Sequence, residues 1–310
     1  TGQPVITVQE NMAISVQPIP VTDCPGESVS FSVLATGTSP TYQWRRNGSD
    51  LINDGRITGA LTSNLNIANI SAADAGNYDV VVSGACEPDT SIAVSLTVLE
   101  NIVITGHPDN LTACPGETVK FGVTATGTNP TYRWRKNGSP LSDGGSVSGS
   151  DTDTLTLTNI NSFTAGSYDV VVSGTCAPAT SNPATLTLNI QPQITVEPTS
   201  KIVCEGSSTT FSANAGSTTG PAYSWQVDDG GGFTSIIGGP YTGFNTNTLT
   251  VNPASSSMNG YRYRVVVSGT CNPPISSLEV TLTVRENPEI VTQPTDSTVC
   301  ENSSVAFTVD

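Results

Sequence analysis

The chain has 310 residues, of which 12% are charged, and 26 acidic residues against 11 basic ones give a net charge of −15. Nucleic-acid binding needs clustered Lys and Arg, so this acidic chain excludes a nucleic-acid partner. Abundant Thr, Ser, Gly and Asn around a recurring Trp, Tyr and Val framework is typical of an exported β-protein and not of a disordered chain. No apolar run is long enough to cross a membrane, and we expect no membrane insertion.

One sequence pattern of about ninety residues occurs three times and begins a fourth time. Each copy has a cysteine, a Tyr-x-Trp run, a tyrosine before an identical Val-Val-Val-Ser-Gly segment, and a second cysteine. A period this long indicates one domain per copy, so the chain is an array of similar modules. The equivalent residues are Cys24, Cys114, Cys204 and Cys300; Trp44, Trp134 and Trp225; Tyr78, Tyr168 and Tyr263; and Cys86, Cys176 and Cys271.

The ends of the chain carry parts of the same pattern. Residues 5–11 align with residues 95–101, which close the first copy, and no signal peptide precedes them. We therefore expect an internal segment of a longer polypeptide. The predicted domains are the last strand of a preceding module at 1–9, three complete modules at 10–99, 100–189 and 190–285, and the start of a fourth at 286–310.

Alternation of apolar and polar residues predicts short strands throughout each copy. After the Tyr-x-Trp run, Asn47-Gly48 and Asn137-Gly138 are strong signals for two-residue hairpin turns. No stretch has helical periodicity, and about seven short strands in ninety residues predict a two-sheet sandwich. In the first copy the apolar residues that define the strands are, in chain order, Val29, Phe31, Val33, Ala35, Tyr42, Trp44, Leu65, Ile67, Ile70, Tyr78, Val80, Val82, Val94, Leu96 and Val98.

Three motifs of the first copy resemble immunoglobulin-like domains: residues 26–33 (Gly-Glu-Ser-Val-Ser-Phe-Ser-Val), 42–48 (Tyr-Gln-Trp-Arg-Arg-Asn-Gly) and 74–78 (Asp-Ala-Gly-Asn-Tyr). The resemblance implies an all-β fold of tandem immunoglobulin-like sandwiches in an elongated array. It also implies that Trp44, Trp134 and Trp225 are buried in the core. Tyr78, Tyr168 and Tyr263 match the tyrosine corner, whose hydroxyl bonds back to the backbone.

The cysteines depart from the antibody pattern. The two core positions that carry cysteines in antibody domains are Val33 and Val80 in the first copy, and the remaining cysteines lie before the second strand and after the Val-Val-Val-Ser-Gly strand. This arrangement resembles the repeats of very large Bacteroidetes surface proteins, including gliding-motility adhesins and cargo of the type IX secretion route. Displaced cysteines argue against a third interpretation, an animal receptor ectodomain.

Few residues of the chain could carry chemistry. His107 is the only histidine, and no Cys-x-x-Cys pair is present, so neither a His-dependent nucleophile nor a zinc site is expected. A phosphate-binding loop must be followed by a helix, and no helix is expected after Gly230-Gly231-Gly232, so a phosphate site is not expected there. We expect the loop acids to be solvated rather than to hold Ca²⁺, and we expect no enzyme activity, cofactor or metal. These loop acids are Asp143, Asp151, Asp153, Asp228 and Asp229.

Two functions of different classes remain. The leading hypothesis is a non-catalytic stalk or filament that also acts as an adhesin at a bacterial cell surface, with adjacent repeats, surface polysaccharide or other cell-surface molecules as partners. The resemblance adds gliding motility as the implied process, and O-glycosylation at Thr154 and Ser297, which follow Asp. The alternative is a set of accessory or carbohydrate-binding modules of a secreted polysaccharide-degrading enzyme. Its candidate sugar platforms are Phe163, Phe233, Tyr241 and Phe244.

The cysteine positions predict bonds between neighbouring modules. In the implied topology Cys24 lies at the bottom of its module and Cys86 at the top. Six strand residues place Cys86 roughly 20 Å from the midplane of the sandwich, and Cys24 lies on the other side of that plane. A disulfide requires Cα atoms within about 7 Å. Head-to-tail packing would instead pair Cys24 with Cys176 and Cys114 with Cys271, and leave Cys86, Cys204 and Cys300 for partners outside the chain. A shifted strand alignment would restore pairing within each module.

Overall fold

A computed structural model describes residues 2–3 and 5–309, and its secondary structure is almost entirely β-strand. The predicted all-β class and sandwich architecture are confirmed. Two compact units are present: the first contains the chain through Leu111 together with Thr118–Thr187, and the second contains Thr112–Glu117 together with the chain from Leu188. In the described residues, no helix has the length and apolar character needed to cross a bilayer.

The strands of the first module lie between Ala13 and Val98. It has one short 3-10 helix, η1, at Ala72–Asp74. Its strands are β1 (Ala13–Val16), β2 (Val21–Asp23), β3 (Val29–Ser32), β4 (Leu34–Thr36), β5 (Thr41–Arg46), β6 (Ser49–Asp50), β7 (Ile57–Thr58), β8 (Asn64–Ile67), β9 (Gly76–Ser83), β10 (Asp89–Thr90) and β11 (Val94–Val98).

Two sheets form the sandwich of the first module. The larger sheet has the order β2-β11-β9-β5-β6, with β10 paired to β9, and the smaller sheet has the order β3-β8-β7. Strand β2 runs parallel to β11, whereas β9 is antiparallel to both β5 and β11. Strands β1 and β4 form a separate antiparallel pair. The inward faces of the two sheets supply the core.

The second module repeats this arrangement, and the third repeats the two sheets but has a single bridge between Val196 and Asn214 in place of the separate strand pair. In the second, the strands are β12 (Val103–Gly106), β13 (Leu111–Ala113), β14 (Val119–Gly122), β15 (Thr124–Thr126), β16 (Thr131–Lys136), β17 (Ser139–Pro140), β18 (Val147–Ser148), β19 (Thr154–Leu157), β20 (Gly166–Ser173), β21 (Ala179–Thr180) and β22 (Ala184–Leu188). In the third, they are β23 (Lys201–Cys204), β24 (Thr209–Ser212), β25 (Ala222–Asp228), β26 (Thr234–Ser235), β27 (Tyr241–Thr242), β28 (Thr248–Val251), β29 (Arg262–Ser268), β30 (Ile275–Ser276) and β31 (Val280–Arg285), with η2 at Ser256–Met258.

Each core is built around one tryptophan and one tyrosine from paired strands. Trp44, Trp134 and Trp225 are fully buried, and each indole Nε1 donates a hydrogen bond to a threonine carbonyl about 3 Å away. A phenylalanine of the smaller sheet stacks on each tyrosine, with centroid distances of 4.9, 4.9 and 4.8 Å. These pairs are Phe31 with Tyr78, Phe121 with Tyr168, and Phe211 with Tyr263.

The predicted Asn-Gly hairpin turns are present. Asn47 and Gly48 both have positive φ, 49° and 80°, and they connect β5 to β6, in which Arg46 pairs with Ser49. Two successive positive φ values are what a type I′ turn requires, and Asn and Gly tolerate them best. Asn137 and Gly138 make the same turn between β16 and β17.

The chain ends contain no strand in the described residues. Val5 and Ile6 are more than 80% exposed, and residues 286–309 also lack strands. The predicted domain boundaries, including the terminal fragments of neighbouring modules, stay predictions.

Candidate functional site: the cysteine-bearing turns

The first cysteine of each module lies in a tight turn at the end of a short strand. Cys24 directly follows β2, and the turn closes when Glu27 N donates to the Cys24 carbonyl oxygen at 3.3 Å. Gly26 adopts φ +90°, which only glycine accepts without strain, and its N–H donates to the Ile70 carbonyl at 2.8 Å. The same closing bond forms at Cys114, Cys204 and Cys300, with distances of 3.2, 3.1 and 3.1 Å.

The second cysteine of each module lies in the connection after the Val-Val-Val-Ser-Gly strand. Cys86 falls between β9 and β10, Cys176 between β20 and β21, and Cys271 between β29 and β30. A backbone bond anchors each connection to the loop before the Tyr-x-Trp strand, for example from Thr175 N to the Thr128 carbonyl at 3.0 Å. These turns are therefore positioned by the sandwich and not by the cysteines alone.

The structure joins these two kinds of turn across modules. Cys24 is bonded to Cys176 with their Cα atoms 5.6 Å apart, and Cys114 is bonded to Cys271 with Cα atoms 5.7 Å apart. Cys176 and Cys271 are buried, at 9% and 1% exposure. In the described part of the chain Cys86, Cys204 and Cys300 are unbonded, and Cys204 and Cys300 are exposed.

Strand direction explains why a module does not close on its own cysteines. Asp23, the residue before Cys24, pairs with Val98 at the end of β11. Because β11 is antiparallel to β9, this end of β11 lies beside the start of β9, whereas Cys86 follows the end of β9. The eight-residue strand β9 thus separates the two turns, a span of about 26 Å at roughly 3.3 Å per residue. That span is far beyond disulfide reach.

His107 has a structural role in the second module. Its Nδ1 accepts a hydrogen bond from Asn182 N at 3.1 Å, and the side chain is exposed. Gln17 accepts the same bond from Ile92 N in the first module, at 2.9 Å. Glu197 accepts it from Leu278 N in the third, also at 2.9 Å. Because Gln17 and Glu197 accept the equivalent bond in the other modules, the role of His107 is to accept one backbone N–H.

The loop acids mostly organise turns. Asp143 accepts hydrogen bonds from Gly149 N and Ser150 N, and Asp151 pairs with Arg133 at 2.9 Å. The hydroxyl and N–H of Ser150, with the N–H of Gly149, lower the pKa of Asp143. Within residues 2–3 and 5–309, no group of three or more His, Cys, Asp or Glu side chains could hold a metal ion.

The expectation of a solvated acid was wrong for Asp228. This residue is 4% exposed, and its Oδ1 accepts hydrogen bonds from Gly230 N at 2.8 Å and Gly232 N at 2.9 Å. Its other oxygen pairs with Arg262. The two glycine N–H groups and the guanidinium hold the pKa of Asp228 below its usual value. Asp228 therefore shapes the hairpin that follows β25.

The aromatic candidates for sugar binding are mostly packed. Tyr241 and Phe244 contact the core of the third module. Phe233 lies under two guanidinium groups, with the Arg264 carbon 4.1 Å and the Arg262 carbon 5.5 Å from the ring centroid. Phe163 alone among the four is widely exposed, at 87%. A flat platform of several exposed rings is not formed by these residues.

The two candidate glycosylation residues are accessible to different degrees. Thr154 is half-buried at the start of β19, and its hydroxyl donates to Asp153 at 3.0 Å. Ser297 is exposed in the strandless terminal stretch. Glycosylation at either hydroxyl stays a prediction.

The buried serines that directly follow the short strands β10, β21 and β30 were not predicted from the sequence. Ser91, Ser181 and Ser277 are each at most 7% exposed, and each hydroxyl oxygen accepts the N–H of a core valine at about 3 Å. The valines are Val80, Val170 and Val265. The sequence contains a signal that could have identified two of these serines, because Ser91 and Ser181 are separated by the ninety-residue period.

Known proteins share this domain type. Roundabout homolog 1 of Mus musculus is 31% identical over 189 residues, which is 60% of this chain and 12% of that protein. Papilin of Mus musculus is 31% identical over 154 residues, 49% of this chain and 12% of that protein. The chain therefore spans only about an eighth of the length of these curated relatives.

Solved structures show the same fold at low identity. An I-band fragment of titin superposes with a TM-score of 0.64 and 16% identity over 90% of this chain and all of that one. The N-terminal eight domains of Down Syndrome Cell Adhesion Molecule give 0.51 and 16% over 89% of this chain and 36% of that one. The family model described as "Immunoglobulin domain" matches residues 13–83, 103–173 and 191–268. With most of its length matched three times in tandem, the chain belongs to the immunoglobulin domain family.

Proposed function

We propose that this chain is a non-catalytic segment of a long extracellular repeat protein that acts as a stalk or filament and as an adhesin. The observation that carries the proposal is the pairing of Cys24 with Cys176 and of Cys114 with Cys271. Each bond connects one module to the next, which serves mechanical continuity and no chemical reaction. Such bonds persist in oxidising compartments, which favours an extracellular location.

We further propose a bacterial cell surface, with gliding motility as the process served. The support is the position of the cysteines, since Val33 and Val80 occupy the core positions that carry cysteines in antibody domains. The animal relatives reported above share the domain type with this chain at 31% identity. Adjacent repeats are the proposed partners of Cys86, Cys204 and Cys300, and surface polysaccharide or another cell-surface molecule is the proposed adhesive partner.

Peptide mapping under non-reducing conditions tests the carrying observation. We expect disulfide-linked peptides that contain Cys24 with Cys176 and Cys114 with Cys271. A linked pair that contains Cys24 and Cys86 would refute the proposed continuity between modules. The intact mass of the native protein tests the proposed O-glycosylation at Thr154 and Ser297, because an absence of added hexose excludes it.

Surface digestion tests the location and class. Brief protease treatment of intact cells of the source organism should release peptides of this chain, and release only after lysis would contradict the proposal. The flanking sequence is a second test. Many further repeats of this type support a stalk, whereas an adjoining catalytic domain favours accessory modules of a polysaccharide-degrading enzyme.

The enzyme-accessory function retains one favourable observation, the exposed ring of Phe163. A glycan array with the full chain and with Phe163→Ser would reveal it. Specific binding that disappears in the variant favours this second function. Loss of binding with Tyr241→Ala would be less informative, since Tyr241 packs in the core.

A further inference from the structure

The two disulfides form covalent loops that overlap. The Cys24–Cys176 bond encloses residues 25–175, and the Cys114–Cys271 bond encloses residues 115–270. The loops are therefore interleaved, with residues 115–175 belonging to both. Bonds that closed each module on itself would instead give three separate loops in a row.

Interleaving shortens the covalent path between the chain ends. The shortest path runs from residue 1 to Cys24, crosses to Cys176, returns along the chain to Cys114, crosses to Cys271 and continues to residue 310. It comprises 23, 62 and 39 residue steps, about 124 in place of 309. At roughly 3.4 Å per residue, a completely unfolded chain then spans ~420 Å instead of ~1,050 Å.

The same path decides which segments can carry tension. Residues 25–113 and 177–270 lie outside it, and they include both connections between modules, from Val98 to Val103 and from Leu188 to Lys201. In the second module the path enters at Cys176, after β20, and leaves at Cys114, before β14, so the strands that hold Phe121, Trp134 and Tyr168 lie on it. Most of the first module and most of the third therefore carry no tension when the chain is pulled from its ends.

We infer that the interleaved disulfides make this chain a length-limited tether, in which tension bypasses the inter-module connections and passes through the strands of the second module. Unfolding of a shielded module adds no length, because its residues hang in a closed loop. This property deepens the stalk function proposed above, but it depends only on the covalent connectivity. It would hold whatever surface the stalk serves.

Single-molecule stretching of the full chain tests the inference, with terminal peptide handles that contain no cysteine. The oxidised chain should reach a fully extended length of ~420 Å and show one large unfolding event. After reduction with dithiothreitol the same chain should reach ~1,050 Å and show three events. Equal lengths before and after reduction would overturn the tether.

Single-cysteine variants distinguish interleaved loops from separate ones. With Cys271→Ser only the first bond remains, and the expected length is ~530 Å; with Cys24→Ser it is ~520 Å. The matched control replaces Cys86, Cys204 and Cys300 by Ser and should stay at ~420 Å. Pairing within modules would instead lengthen that control to ~840 Å, which overturns the inference even if the other variants fail to fold.

The outcome is separable from that of the proposed function. Surface digestion and the flanking sequence report on location and class, and neither depends on chain length under force. If the oxidised chain reached twice the expected length, the length-limited tether would be refuted and the proposed surface adhesin would be unaffected. If the tether length were observed but the protein were never exposed on cells, the surface adhesin would be refuted and the tether would stand.

Discussion

The first and third modules hold the same tyrosine in different polar surroundings. In the first, the Tyr78 hydroxyl donates to the Asp74 carbonyl at 2.7 Å. The Asp74 carboxylate, with 3% of its side chain exposed, accepts two bonds from Arg56 and two from Ser71, one from its N–H and one from its hydroxyl. In the third, the Tyr263 hydroxyl lies 3.2 Å from the hydroxyl of Tyr241.

This difference shows which part of the corner the fold depends on. Tyr78 and Tyr263 are at most 1% exposed, and both stack on a phenylalanine at nearly the same distance. The ring is constant, whereas the partner of its hydroxyl is replaceable. The second module supports this view, since Tyr168 bonds the Thr164 carbonyl with no carboxylate at that position, and burial raises its pKa to about 12.

The largest expected effect tests whether the aromatic cores are equivalent. Trp44→Ala and Trp225→Ala should each lower the free energy of unfolding by about 3–5 kcal/mol, because each leaves a cavity in a fully buried core. Amide hydrogen exchange of peptides from β9 and β29 measures the two modules separately. A cost under ~1 kcal/mol in either one would mean that its indole does not organise that core.

A smaller effect should be confined to the first module. Arg56→Met removes the two hydrogen bonds that Arg56 donates to the buried carboxylate of Asp74, keeps those from Ser71, and should cost about 1–2 kcal/mol at pH 7. The cost is this small because the Arg56 side chain is 37% exposed, and solvent weakens its attraction to the carboxylate. Exchange of β9 peptides should increase while that of β29 peptides stays unchanged, and a uniform increase would contradict a local role.

Acid should remove the same contribution. Burial raises the pKa of Asp74, but hydrogen bonds from Arg56 and Ser71 outweigh it and leave the pKa below its ordinary value. A lowered folded-state pKa gives stability that is complete above the unfolded value, about 3.9, and is lost as pH falls through the folded value. The stability gap between the wild type and Arg56→Met should therefore close below about pH 4.

The third module offers a matched acid control. Its buried carboxylate, Asp228, also has a lowered pKa, but it lies in the glycine-rich hairpin and not at the tyrosine corner. Asp228→Asn should therefore reduce the acid sensitivity of β25 and β29 peptides, and Asp74→Asn that of β5 and β9 peptides. If Asp228→Asn instead changed the β5 and β9 peptides, or Asp74→Asn the β25 and β29 peptides, these two carboxylates would not set the acid response of their own modules.

The smallest effect separates the two hydroxyls. Tyr78→Phe leaves the Asp74 carbonyl without its buried donor and should cost about 1 kcal/mol. Tyr263→Phe removes a bond to another hydroxyl, which can find water, and should cost less than ~0.5 kcal/mol. Urea unfolding of each variant measures both values. Equal costs would mean that the corner bond has no special weight in the first module.

Much of the fold was predictable because its determinants are local and periodic. Alternating apolar residues define the strands, the Asn47-Gly48 dipeptide defines a turn through its own backbone preferences, and the ninety-residue period defines the modules. The first two signals depend on near neighbours and the third on repetition, so all three can be seen in the sequence without the tertiary structure. Tandem sandwiches with one tryptophan each follow from them.

The remaining features depended on where distant segments meet. Asp228 is buried because Arg262, 34 residues later, pairs with it and two glycine N–H groups turn toward it. Glu197 and Gln17 share the role of His107 through acceptor geometry and not through side-chain identity. The glycine bonds are local, within four residues of Asp228, but the pairing with Arg262 depends on the approach of a distant strand and is not encoded by neighbouring residues.

By itself, the sequence determined the number and type of modules and placed the cysteines in turns at opposite ends of a sandwich. Only the tertiary structure decided which turns meet, since it brings Cys24 within 5.6 Å of Cys176 and Cys114 within 5.7 Å of Cys271 by Cα distance. Strand periodicity sets the direction of a side chain within its own module. The approach of residues more than 150 positions apart depends on how folded modules pack, because a disulfide forms only where the backbone has already brought both cysteines together.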